Sequence, residues 1–387
     1  MIPAVSALLS LLTLKLLDKE RRSHANDFGF DEALGLFCGL NVMPKKSFLT
    51  EYSYRTTRDH QRALLAGWIS ALSGLLFPQA NTFSLDFHPI PYRGDDAGLE
   101  THYVPLAGKA QPSVLSFFAL EQESRVLCYA NANLIRSEQP GEVMRFVEFW
   151  HELAGSDPNW LYFDSKVTTY PELHRLNQRG GINFVTIRRR GESVVRRLSQ
   201  LPQSAWTKAV IDTPKRFHQQ IRYVDERVRL PGYTGQIRQV AIDGLGNERP
   251  TLLISNNEQE TARNLIIRYA GRNRVEDGLG SAVNFFHLDC LSSEVRLNVD
   301  LDCAMTVVAN GCYRWLGRQL KGHEKAQPKQ LYRRFVETAG AVEVQQDRVV
   351  VTLDRRSHNP ILREAALDKD AAPIPWLANR KLQFVYS

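Results

Sequence analysis

Apolar residues recur every three or four positions through the first eighty residues of the chain, and then the period changes. The run "AVSALLSLLTLKLLDKERR" predicts a helix and "DFGFDEALGLFCGL" a second. "LTEYSYRTTRDHQRALLAGWISALSGLL" predicts further helical segments, entered through Pro44 and Lys45–Lys46. From Asn81 the pattern alternates: "TFSLDFHPI" sets Phe83, Leu85 and Phe87 on one face, as a strand does. "VLSFFALE" and "SRVLCYANANL" follow as two more strands, after the turn-forming Gly94, Gly98 and Gly108. "QPGEVMRFVEFWHELAG" returns to helical spacing. A strand, "NWLYFDS", a helix, "TTYPELHRLNQRG", and a strand, "INFVTIRRR", complete a β-β-β-α-β-α-β series.

Three antiparallel strands followed by α/β crossovers predict an α/β protein of ribonuclease H-like fold, a mixed central sheet flanked by helices. Residues 81–190 are its first part, and 1–80 form a helical N-terminal region that is a candidate DNA contact. Residues 191–255 read as a strand-rich, basic insertion broken by Pro214, Pro231–Gly232 and Gly244. Residues 256–387 complete the domain with a helix around Tyr269, the long apolar helix "DLDCAMTVVANGCYRWLGRQL", a hairpin, and the terminal strand in "PWLANRKLQFVYS".

Composition adds little until charge is located. A chain of 387 residues buries a substantial core, and its apolar share is ordinary for a folded protein. Formal net charge is +7, and Gly181 to Leu230 alone holds eleven Lys/Arg against four Asp/Glu, so the remainder is neutral overall. A basic block inside a neutral chain suits a polyanion-facing surface; a solvated arginine-rich face explains it equally well. The five cysteines are scattered without a Cys-x-x-Cys pair, which argues for a reducing compartment and against a disulfide frame or a zinc knuckle. The N-terminal "IPAVSALLSLLTLKLL" lacks a basic lead and is interrupted by Lys15, so a buried or amphipathic helix is expected rather than a signal or membrane segment.

Three acids stand where a ribonuclease H-like site places carboxylates. Asp86 lies inside an apolar strand, where an unpaired carboxylate is expensive to bury. Asp164 ends the apolar "WLYFD", and Glu276 sits in "YAGRNRVEDG", where helical spacing sets Tyr269, Arg272 and Glu276 on one side of a single helix. Structural alternatives stand beside each: Asp86 capping a bend, Asp164 capping the next helix in competition with Ser165 and Thr168, and Glu276 pairing locally with Arg272. Carboxylates on separate rigid elements suit a pair of Mg²⁺ ions, with Mn²⁺ as substitute, in an in-line phosphodiester displacement.

The blocks "LDFHPIPYRG", "YFDSKVTTYPELHRLNQRGGINFVTIRR" and "YAGRNRVEDG" resemble the three active-site blocks of bacterial insertion-sequence DDE transposases. The similar branch carries a Tyr-x2-Arg-x3-Glu-x6-Lys signature, matched by Tyr269, Arg272 and Glu276, while the lysine slot holds Val283. His287 follows on the face expected for Glu276. The resemblance runs from about Leu17 to the C-terminus. It implies an enzyme that nicks terminal inverted repeats and joins the ends to target DNA, with Asp86, Asp164 and Glu276 holding the metals and Arg272 and Tyr269 near the cut phosphate.

By the same resemblance the inserted strands position the transposon end; Arg188, Arg189 and Arg190, just before that insertion, are DNA-binding candidates. Trp206 is a candidate for stacking an unpaired base, against the alternative of a core tryptophan. The implied partners are double-stranded DNA and a second copy of the chain, without a membrane, in a bacterial, nucleoid-associated cytoplasmic setting. Relatives often carry more N-terminal sequence before the first helix, so part of the repeat-recognition module is expected to be missing. Two alternatives remain beside the transposase: a DNA-binding relic, motivated by Val283, and a non-mobile nuclease on the same fold.

Overall fold

The switch from helical to alternating spacing near Asn81 is where the chain leaves a helical layer and enters a sheet. A computed structural model describes residues 2–77, 81–94, 98–211, 220–246, 249–290, 293 and 295–386. Pro214 of the basic stretch falls outside them.

The helical layer comprises α1 (Ala4–Leu16), a 3₁₀ turn (Arg22–Phe28), α2 (Glu32–Phe37), α3 (Lys46–Ser53) and α4 (Arg58–Leu76). Helix α1 is buried, as its apolar run predicted. Lys15 is only 5% exposed, donates to the Phe286 carbonyl at 2.7 Å and pairs with Asp302 at 2.5 Å. Among the described residues no helix is long and apolar enough to cross a membrane.

The sheet begins with β1 (Thr82–Pro91), the short β2 (Thr101–Val104), β3 (Lys109–Glu121) and β4 (Leu127–Asn131). It continues through α5 (Glu142–Ala154), β5 (Trp160–Phe163), α6 (Tyr170–Arg179) and β6 (Asn183–Ile187). β3 is antiparallel to both β1 and β4, while β1, β5 and β6 run parallel. The spatial order β4-β3-β1-β5-β6 is the ribonuclease H-like arrangement. The sequence reading lacked β2, which extends the β3 edge within the glycine-marked stretch.

The basic stretch opens with a helix, α7 (Glu192–Ser199), that the strand-rich reading did not contain. It continues as β7 (Thr207–Val210), β8 (Gln220–Val228), β9 (Ile237–Asp243) and β10 (Thr251–Ser255). These strands prolong the main sheet. β10 pairs antiparallel with β6, and β9, β8 and β7 follow outward, giving a ten-stranded sheet.

The chain returns through α8 (Ala262–Ala270), α9 (Asn273–Asn284) and the 24-residue α10 (Arg296–Gln319). Helix α10 packs Leu301, Met305 and Val308 against Leu11 and Leu14 of α1, and Val299, Ala304 and Val307 enter the main core with Leu65 and Ile69 of α4. Arg58 Nη1 donates to both oxygens of the fully buried Asp300 at 2.9 Å and to the Ala130 carbonyl; Asp300 accepts in turn from the Ala132 amide. That network joins α4, α10 and β4. After α11 (Pro328–Leu331), β11 (Gly340–Val344) and β12 (Arg348–Leu353) form the predicted hairpin. Past α12 (Asn359–Ala365), β13 (Lys381–Tyr386) lies parallel to β12.

Candidate active site

Parallel pairing of β1 and β5 fixes the first two acids. Leu85 is registered with Phe163, so the next positions, Asp86 and Asp164, stand side by side on neighbouring strands, which run about 4.8 Å apart. Neither side chain takes the capping role that was its alternative. Asp86 accepts from the Phe87 amide at 2.9 Å within the strand. Asp164 accepts from the Ser165 amide at 2.6 Å, while α6 starts only at Tyr170, with Thr169 as its N-cap.

Glu276 arrives on α9, held close to the sheet by Gly278, where an added Cβ would stand 2.6 Å from Leu120 Cδ1 of β3. Tyr269, Arg272 and Glu276 do not share one helix as the spacing predicted. α8 ends at Ala270 and α9 begins at Asn273. The amides of Gly271 and Arg272 instead bond three residues back, to Arg268 and Tyr269, tightening the chain into a 3₁₀ turn. Gly271 is itself a poor helix former, and it passes so near Gln122 that a Cβ would meet its Oε1 at 3.1 Å.

Arg272 links the acids. It donates from Nη1 to Asp86 at 3.2 Å and from Nη2 to Glu276 at 2.5 Å, so the local pair weighed as the alternative for Glu276 is present. Arg272 is 12% and Glu276 53% exposed. Burial opposes the Arg272 charge, yet Tyr269, Asp86, Glu276 and Asp164 together hold it above its ordinary value. Burial pushes the Asp86 carboxyl up; Arg272 and the Phe87 amide oppose this, and Asp164 and Glu276 add to it. Tyr269 is raised chiefly by burial, so its hydroxyl stays protonated at neutral pH. Among the described residues the Tyr269 hydroxyl and Arg272 Nε are buried without a well-formed hydrogen-bond partner, although the guanidinium is the hydroxyl's charged neighbour and lies over the tyrosine ring at 5.7 Å.

The donor set fits a hard divalent cation: it is carboxylate oxygen alone, with two acids adjacent at the strand ends. The three acids do not gather within 4.8 Å as a trio, because Glu276 is drawn to Arg272. Asp86, Asp164 and Glu276 are the side chains that would hold such a cation.

The remaining candidates lie elsewhere. Arg188, Arg189 and Arg190 leave β6 at the same end of the parallel strands as Asp164, since Phe163 is registered with Thr186. Arg188 is engaged by Gln239 at 2.6 Å and Arg190 by the Arg249 carbonyl at 3.1 Å, while Arg189 is exposed. Trp206 packs against Leu198, Ala241 and Leu252, with Arg222 over its ring at 4.8 Å. Much of the basic block is neutralised internally: Arg197 pairs with Glu226, Arg222 with Asp243, and Arg227 with Glu258. Val283 packs against the main core. His287 is not on the Glu276 face, because α9 ends at Asn284 and His287 occupies a left-handed turn paired with Asp18.

Sequence reasoning passed over His88. It shares the Asp86 face of β1 by strand alternation and bonds Asp289 at 2.6 Å. That two-residue spacing was the available signal.

No family model matches the chain, and no curated protein matches its sequence. Among solved structures, a cryo-EM structure of a piggyBac transposase synaptic complex with hairpin DNA is similar at a TM-score of 0.43 and 12% identity, covering 85% of this chain and 70% of that one.

Proposed function

We propose that the chain is a DNA transposase that cleaves at terminal inverted repeats and joins the ends to target DNA, using divalent metal held by Asp86, Asp164 and Glu276. The observation that supports this reading best is the side-by-side pair Asp86 and Asp164, with Glu276 of α9 tied to the buried Arg272 that also reaches Asp86. Bound Mg²⁺ or Mn²⁺ supplies activation of the attacking water or 3′-hydroxyl and neutralises charge on the leaving oxygen.

The protein's own residues do the rest. Arg272 stays cationic and offers its guanidinium to a backbone phosphate, for which planar, forked donors are suited. Leaving Glu276 returns a carboxylate that is more than half exposed to water, while Asp86 still pairs with the buried guanidinium. The neutral Tyr269 hydroxyl donates to the same phosphate, which would satisfy a group now buried without a well-formed partner. Arg189 and Arg190, at the Asp164 end of the strands, extend a phosphate-binding track. A dimer on paired ends follows from joining two ends in one reaction.

The test uses duplex DNA carrying the inverted repeats that flank the gene. Mg²⁺- or Mn²⁺-dependent cleavage is expected to vanish in Glu276→Gln while repeat binding persists. Undiminished cleavage in that variant would sink the assignment, and cleavage indifferent to competing unrelated duplex would make the protein a general nuclease instead. Binding should weaken steeply with salt, as counterion release requires.

A further inference from the structure

A second cluster of metal-ligating side chains lies apart from the acidic site. Glu20, in the segment after α1, and His287 and Cys290, in the segment after α9, each bring one ligand atom to within 4.8 Å of the others. Among the described residues no other trio of His, Cys, Asp or Glu meets this closely. His287 and Cys290 belong to one turn, closed by a 3.0 Å bond from the Cys290 amide to the His287 carbonyl. Their two-residue gap is the spacing with which tight turns present paired ligands to zinc.

The imidazole is already oriented for this. His287 Nε2 bonds Asp18 Oδ1 at 2.8 Å across 269 positions of sequence, which leaves Nδ1 as the nitrogen to offer a metal. Metal-bound histidines are held in tautomer and orientation by such a carboxylate on the second nitrogen. Both partners adopt left-handed backbone, His287 at φ 54° and Asp18 at φ 58°, a conformation that non-glycine residues keep where surrounding contacts demand it.

We propose that Glu20, His287 and Cys290 bind one zinc-class divalent cation, with a fourth position open to water. Thiolate, imidazole and carboxylate together select a borderline cation over Mg²⁺. Bonds of about 2.0–2.3 Å keep two ligands of one zinc ion within about 4.5 Å of each other, so the observed spacing closes by side-chain adjustment. Binding releases the Cys290 thiol proton to solvent and leaves the thiolate on the ion. The absence of a Cys-x-x-Cys pair does not exclude such a site, because its third ligand comes from the far end of the sequence. The ion ties the N-terminal helical layer to the segment after α9. Asp289, between the two ligands there, bonds His88, two residues from Asp86 on β1.

The test titrates the reduced, metal-stripped full chain with Zn²⁺ alone and, separately, with Co²⁺ alone. One equivalent per chain and a thiolate-to-cobalt charge-transfer band are expected, both lost in Cys290→Ser. Glu20→Gln changes an exposed side chain and leaves folding intact; it should weaken affinity by about tenfold or more, and Asp18→Asn by about 10–100-fold. The triple variant Asp86→Asn, Asp164→Asn, Glu276→Gln should retain the band. Absence of the band overturns the proposal, as does its survival in Cys290→Ser, undiminished affinity in Glu20→Gln, or its loss in the triple variant.

Discussion

Arg272 reaches across from the turn before α9 to donate to Asp86 on β1, and the 3.2 Å contact joins two carriers of the acidic site that are 186 residues apart. The same guanidinium holds Glu276, so one side chain balances part of the charge of two acids.

That balance is incomplete at Asp86, which burial holds above the ordinary carboxylate range. The native state therefore keeps this proton to higher pH than the unfolded chain. The group favours folding below its unfolded pKa of about 3.9, and the advantage disappears as pH rises through the raised native value. Asp86→Asn should accordingly raise the melting temperature at pH 7, and the gain should shrink as pH falls toward 4. Mg²⁺ should stabilise the unsubstituted protein and not this variant, as thermal melts with and without the ion will read.

Tyr269→Phe removes a buried hydroxyl that has no well-formed partner. Stability should be unchanged or higher by up to about 1 kcal/mol, because no well-formed hydrogen bond is lost. Cleavage should fall by about tenfold or more, the effect of one hydrogen bond to an anionic phosphate. Equal cleavage rates in the two proteins would remove Tyr269 from the site.

Arg58→Ala strands the Asp300 carboxylate in the core. A loss of about 3–5 kcal/mol is expected in urea unfolding at neutral pH. Adding Asp300→Asn should recover part of it, since an amide carries no charge to strand.

Gly278 and Gly280 provide a paired test within α9. Gly278→Val drives side-chain atoms into Leu120 and should cost about 1–3 kcal/mol. It should also lower cleavage more than binding, because Glu276 shifts with the helix. Gly280 has open space where a Cβ would stand, so Gly280→Ala should stabilise by up to about 1 kcal/mol, measured in the same unfolding assay.

Much of the main sheet was legible because it is written in local periods. Phe83, Leu85 and Phe87 alternate, and the helices flanking "WLYFD" repeat at helical spacing, so element type and order followed from the sequence. What depends on distant partners did not. Gly271 offers a local signal for the helix break, but its close approach to Gln122, 149 residues away in sequence, is not written locally. The basic block shows its net charge in sequence, but Asp243 and Glu258, which neutralise two of its arginines, lie outside the window. The antiparallel seam between β6 and β10 is equally invisible, since strand direction is settled by topology rather than by alternation.

That seam turns the sheet into a ruler. From β1 to β8 there are five strand-to-strand steps, with no flexible linker among them. At about 4.8 Å per step the offset from Asp86 is about 24 Å, comparable to about seven base pairs at 3.4 Å each. The sheet's twist of about 20–25° per step also turns the outer strands through more than a right angle. Loop changes alone therefore cannot reset the distance between the acids and the arginine-bearing strands; only gaining or losing a strand can.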